Sequence, residues 1–183
     1  MRPLNLSKWD KTLQHVIDDM LGRPLNIHAL LAHHPPLLEA WWKLRTHLVT
    51  GGDLEQRDCE LVILRVARHN NSWYEWASHV VRGLDSGLSM DEIERLQKND
   101  LGWDEKDAAL LQAVDQIVDR QLLDPASLGR LSAHFSDRQI LDIMHLYGMY
   151  TTLACIIGTW GLELDEHVAE RLPAAVDEKS FAG

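Results

Sequence analysis

The chain has 183 residues, 45% of them hydrophobic and 25% charged, and a formal charge of -10. That suits a single soluble globular domain over residues 1–183 with a substantial core. With an acidic balance and no Lys/Arg cluster, a phosphate-binding surface is excluded and nucleic acid is not an expected partner. Cys59 and Cys155 stand 96 positions apart with no C-x-x-C, which excludes a paired-thiol redox motif and a zinc knuckle. Free thiols fit a cytoplasmic location, and the N-terminal "MRPLNLSKWDK" has no apolar run of the kind a secretory leader needs.

Helix starts and stops punctuate the chain. Ser7 can cap a helix carrying Trp9, Leu13, Ile17 and Met20 at helical spacing, ended by Gly22. Asn26 can cap "IHALLAHH", which stops at Pro35. Pro36 suits a first helical position and opens a helix closed by Gly51-Gly52. Asp53 can cap Leu54 to Asn70, and Ser72 opens a helix ended by Gly83 or Gly87.

Ser89-Met-Asp-Glu92 and Ser136-Asp-Arg-Gln139 are capping-box patterns, and Asp104 can cap "EKDAALLQAVDQIVDRQL". The segment from Ile140 to Trp160 is apolar on most faces, as expected of a helix surrounded by others or by a neighbouring subunit. Its uncharged run, Leu146 to Leu162, is shorter than the roughly 20 residues of a membrane span, so it reads as a buried core helix. A short helix follows Asp165, and the tail after Pro173 is expected to fray. No stretch alternates with period two. The expected architecture is an all-α bundle of about eight helices.

The stretch "NNSWYEWASH", residues 70–79, concentrates chemistry at one helix start. Ser72, Glu75 and His79 stand at i, i+3 and i+7, so they share a face. Ser72-Trp-Tyr-Glu75 is itself a capping-box pattern, which explains two of them without any function. It leaves His79 unexplained. The chemical alternative is a carboxylate–imidazole pair in which Glu75 orients His79 for acid–base work near neutral pH. Glu60, on the preceding helix, offers a second carboxylate, and Tyr74 a hydrogen bond to an anionic intermediate.

Arg57 could bind a substrate carboxylate, or form a salt bridge to Glu60 or to a neighbouring subunit. Tyr150 could reach a cavity or pack as core, and Trp76 could line a substrate box or fill the interior. Glu60, Glu75 and His79 have metal-ligand chemistry, but no second histidine lies at an obvious ligand spacing, so no metal is expected.

Arg57 to Leu96 carries E-L-x-I-L-R, Y-E-W-x-x-H and G-L-x-x-x-E-I. In that combination the segment resembles the carboxymuconolactone decarboxylase family, which includes the alkylhydroperoxidase D-like proteins. The likeness extends from Asn26 to about Leu172. It implies the alkylhydroperoxidase D-like bundle and a homotrimer or hexamer. The family's peroxidase branch carries E-x11-C-x-H-C-x3-H. Here the glutamate falls on Glu60 and the last histidine on His79, while Ser72, Tyr74 and Glu75 stand where the two cysteines and the middle histidine would be. A serine cannot cycle through sulfenic acid and disulfide.

The resemblance therefore implies the pocket without thiol peroxidase activity. It points to a decarboxylase, other lyase or isomerase acting on a small organic acid or lactone without a cofactor. His79, Glu75, Glu60 and Tyr74 would be catalytic, and Arg57, Trp76 and Tyr150 would bind the substrate. The alternatives are a non-catalytic binding or scaffold protein on the same fold, or a vestigial alkylhydroperoxidase-like protein with, at most, residual peroxidase activity through Cys59 or Cys155.

Overall fold

The computed structural model describes residues 1–98 and 102–182. Among these there are eleven α-helices and no strand. They are α1 (Gln14–Asp19), α2 (Asn26–Leu31), α3 (Pro35–Thr46), α4 (Gln56–His69), α5 (Trp73–Asp85), α6 (Met90–Lys98), α7 (Glu105–Arg120), α8 (Pro125–Ser132), α9 (Asp137–Trp160), α10 (Glu166–Ala169) and α11 (Glu178–Ala182). Two short 3-10 turns, Leu6–Lys8 and Lys11–Leu13, precede α1 in place of one longer helix.

Helix α4 is the axis of the fold. Every residue from Asp58 to Ala67 is buried, because α5, α7 and α9 pack around it. Leu61, Val62, Ile63, Leu64 and Val66 have no exposed surface; each contributes about 1.5–3 kcal/mol of apolar burial. Helix α5 lies close against α4. At Gly83 an added Cβ would come within 2.9 Å of Leu88 Cδ1 and 3.4 Å of Leu64 Cδ1, so a side chain there would have to displace the Leu88 side chain after α5.

Helix α9 buries Ile140, Ile143, Leu146, Met149, Tyr150, Leu153 and Ile157 on one face. Its opposite stripe, Leu141, His145, Gly148, Thr152 and Cys155, is exposed. Counted from Asp137, the helix is long and apolar enough to cross a membrane by length and composition, yet one whole face is built into the core.

Several start signals act as their chemistry dictates. The boxes at Ser89–Glu92 and Ser136–Gln139 are closed in both directions, and Asp104 accepts from Asp107 N at 2.9 Å. Gly161 ends α9 at φ +58.

Other expectations need correction. Asn26 is the first residue of α2 rather than its cap, and its backbone N–H goes to Asp165 Oδ1. Helix α4 begins after Glu55, without an Asp53 cap. The tail does not fray: α11 docks on α5, with Phe181 ring-to-ring at 5.3 Å from Trp76 and 5.8 Å from Trp73.

Candidate acid–base site

Helices α2, α3, α5 and α9 converge on a small internal cavity of about 30 Å³, room for little more than a water molecule. Helix α5 lines it with Tyr74, Glu75, Ser78, His79 and Arg82, and α9 with Tyr150, Leu153 and Ile157. Helix α2 adds Ile27 and His28, and α3 adds Trp41 and Arg45. Glu60 reaches the site from α4 through His79: His79 Nδ1 lies 2.7 Å from Glu60 Oε2, with both side chains buried.

Burial pushes the His79 imidazole below its ordinary value. Glu60 offsets part of that, and Arg82 and Arg45 add to it. A neutral ring facing a carboxylate donates its Nδ1–H, which leaves Nε2 with a free lone pair. The edge of the His79 ring meets Tyr150 at 4.9 Å and 88°, fixing its plane. His28 has the complementary tautomer. Its Nδ1 accepts from Leu25 N at 3.2 Å, so the proton sits on Nε2. Burial again, with Arg45 and Arg82, holds it well below the ordinary value.

Glu75 is 2% exposed, and neither carboxyl oxygen has a hydrogen-bond partner among the described residues. Burial pushes its pKa up to about 8, and the nearby Ser72 hydroxyl offsets only part of this. At neutral pH Glu75 is therefore a protonated acid. The capping box at Ser72–Glu75 is not formed. Ser72 makes no side-chain cap bond, and its backbone N–H, the group Glu75 would have to reach, already donates to Ala67 O at 2.9 Å.

The candidate residues divide accordingly. Glu75, His79 and Tyr150 line the cavity, and it is Glu60, behind His79, not Glu75, that orients the ring. Tyr74 lines the cavity with its hydroxyl already committed. It donates to Asp165 Oδ2 at 2.5 Å and accepts weakly from Ile27 N at 3.4 Å, tying α5 to the starts of α10 and α2.

Arg57 lies elsewhere. Its guanidinium forks onto Asp107 at 3.0 and 2.7 Å and also pairs with Glu92, joining α4 to α6 and α7. Trp76 has no exposed surface and packs on Phe181 rather than on the cavity. Among the described residues, no group of three His, Cys, Asp or Glu is placed to hold a metal ion. Arg45, Arg82 and His28 are cavity residues that the sequence did not single out. Arg82 had a legible signal, since it follows Glu75 by seven and His79 by three on one helix face; Arg45 and His28 had none.

The thiols lie apart from this cavity. Cys59 is buried against Leu48 O, and burial, then Glu60 and Asp58, pushes its pKa up to about 12. Cys155 is exposed on α9.

Residues 35–115 match the carboxymuconolactone decarboxylase family, a span that includes Arg45, Glu60, Glu75, His79 and Arg82. No curated protein matches the chain significantly. Among solved structures, an alkylhydroperoxidase AhpD core protein from Ralstonia eutropha JMP134, an uncharacterized peroxidase-related protein, superposes with a TM-score of 0.80 at 18% identity, covering 92% of this chain and 94% of its own. A peroxidase-related protein from Silicibacter sp. TM1040 gives 0.77 at 17% identity, covering 91% and 93%. A cysteine-to-alanine variant of the debrominase Bmp8, in complex with 2,3,4-tribromopyrrole, gives 0.77 at 14% identity, covering 93% and 94%. At these identities the structural likeness speaks for the fold. The sequence match over residues 35–115, from α3 into α7, is to the carboxymuconolactone decarboxylase family, and the chain as a whole has the all-helical fold of the alkylhydroperoxidase D-like proteins.

Proposed function

We propose that the protein is an acid–base enzyme, a decarboxylase, other lyase or isomerase, that moves protons on a small organic acid or lactone. The observation that carries this reading is Glu75: a buried carboxyl without a hydrogen-bond partner, in the same cavity as a histidine already held by a second carboxylate. Orphaned buried acids are costly and call for an explanation. Here the two environments split the roles at neutral pH. Neutral His79, oriented through Nδ1 by Glu60, takes a proton at Nε2. Protonated Glu75 delivers one to the developing anion. Arg45 and Arg82, on the same walls, stabilise negative charge as it forms.

The alternative of residual thiol peroxidase chemistry finds little support. Ser72 and Glu75 stand in the family's cysteine positions, and Cys59 is held as a thiol. The test is substrate-agnostic. A panel of lactone acids and 2- and 3-oxo acids is incubated with the protein in D2O and followed by NMR for deuterium incorporation, isomerisation or loss of CO2. At least one member is expected to react with wild-type protein and none with His79→Ala. A reaction of equal rate in His79→Ala, or none in wild type, would overturn the reading.

A further inference from the structure

Beside the cavity, α3 and α9 enclose an apolar groove of about 430 Å³. That is within the size range of small-ligand pockets, whereas the cavity takes little more than a water. Leu31, Leu37, Leu44, Met144, Met149 and Ile156 make most of its lining. Trp41 and Leu153 line both groove and cavity, so these two side chains are their common wall.

On the cavity side stand Arg45 and Arg82, neither with an ion pair among the described residues. Arg45 leans over the Trp42 ring at 5.1 Å. Asp19, which accepts from Trp42 Nε1 at 2.7 Å, compensates Arg45 only through space. Two half-buried guanidiniums on one small cavity repel one another; burial and then Arg82 weaken the hold of Arg45 on its proton. Among the described residues that line the cavity, the one carboxyl is Glu75, which burial keeps protonated; Glu60 stands behind His79, hydrogen-bonded to it. Glu60, like Asp19, offsets Arg45 only through space, so the cavity walls carry two guanidiniums without an ion pair among the described residues.

We propose that groove and cavity form one site for a carboxylate with an apolar body, its head held by Arg45 and Arg82 and its chain or ring lying along the groove between α3 and α9. An arginine fork suits a planar carboxylate, and two of them beside an apolar trough select for an amphipathic acid over a small polar one. Trp41 sets the boundary between body and head. The inference deepens the acid–base reading by naming the class of acid, since the bound head would lie beside His79 and Glu75.

The experiment is isothermal titration calorimetry with octanoate and with the neutral isostere octanamide, so binding is read without turnover. Wild-type protein is expected to prefer octanoate at least 10-fold. The Arg45→Gln/Arg82→Gln double variant is expected to lose that preference while still binding octanamide. Gly148→Leu tests the groove itself. Gly148 lines it, a Cβ there meets nothing within 4 Å, and leucine favours helix more than glycine does, so the variant folds and fills the trough. It is expected to weaken both ligands at least 10-fold with unchanged sedimentation.

Equal affinity for octanoate and octanamide, or no octanoate binding at millimolar concentration, overturns the proposal. So does a Gly148→Leu protein that binds like wild type. Loss of octanoate binding only together with dissociation of an assembly would make the groove a subunit contact and equally overturn it. Octanoate binding that persists in a protein with no acid–base turnover would sink the catalytic reading alone. Turnover without octanoate binding would sink this one alone.

Discussion

His79 Nδ1 and Glu60 Oε2 meet at 2.7 Å across the packed faces of α5 and α4, both side chains buried. The bond fixes the imidazole tautomer, so its two partners are separable by mutation. Glu60→Gln keeps an oxygen acceptor for Nδ1–H but removes the charge that stabilises the imidazolium. Turnover is expected to fall about 10²-fold or more while thermal stability changes little. His79→Ala instead strands a buried carboxylate and is expected to cost about 3 kcal/mol of unfolding free energy as well as activity. Chemical denaturation beside steady-state kinetics separates the two. Equal destabilisation in both variants would argue for a purely structural pair.

Glu75 makes the molecule pH-sensitive in a direction that can be worked out. Its pKa is raised in the folded state to about 8 from an ordinary 4.5. Below 4.5 both folded and unfolded chains hold the proton, and the stability is fully present. As pH rises toward 8 the unfolded chain ionises first, so stability falls across that window by something on the order of 5 kcal/mol. Glu75→Gln is expected to abolish this slope and to be more stable than wild type at pH 8, read from urea midpoints at several pH values. Activity should fall as pH rises through about 8, when the acid is lost. It should also fall at low pH, where His79 protonates below its ordinary 6.5.

What was legible in the sequence follows from how far the physics reaches along the chain. Caps at Ser89, Asp104 and Ser136 depend on neighbours three positions away, and all three form. The box at Ser72 has the same pattern and fails, because a long-range constraint intervenes: Ala67 O takes the N–H that the box needs. The Glu60–His79 bond spans nineteen positions and depends on the α4–α5 crossing, which spacing on one helix cannot disclose. Arg45 enters the cavity from a third helix and was missed for the same reason. Helix α8 was missed despite a local signal, Asp124 followed by Pro125 at the first helical position. Helix α11 depends on Phe181 finding Trp76, a contact about a hundred residues away.

The cysteines should be dispensable. Cys59 is held as a thiol, its pKa pushed up to about 12, and neither cysteine lines the cavity. A Cys59→Ser/Cys155→Ser protein is expected to keep full acid–base activity. Wild-type protein should reduce tert-butyl hydroperoxide no faster than background in the presence of a dithiol. Peroxide turnover lost in the double variant would restore a redox role.

Arg57 is expected to act as a clasp on this geometry rather than as a substrate ligand. Its fork on Asp107 and its pair with Glu92 hold α4 against α6 and α7. Arg57→Ala leaves the Asp107 carboxylate buried at 4% exposure. With partial solvent access at the arginine, the cost is expected to be about 1–2 kcal/mol. KM should not change. A rise in KM with stability intact would return Arg57 to the binding site.

Tyr74 decides between a structural and a chemical hydroxyl. Its O–H donates to Asp165 Oδ2 at 2.5 Å, and Asp165 in turn accepts from Asn26 N at 2.9 Å, so one carboxylate joins the starts of α2 and α10 to α5. Burial, then the Asp165 charge, holds the phenol un-ionised. A hydroxyl already spent on a carboxylate has no proton left for an intermediate on the far side. Tyr74→Phe preserves the ring and removes the bond, leaving Asp165 buried with one donor fewer. The expected loss is about 1–3 kcal/mol of stability with kcat within a few-fold of wild type. A kcat drop of two orders of magnitude at unchanged stability would instead mean that Tyr74 leaves Asp165 during the reaction and donates to the anion.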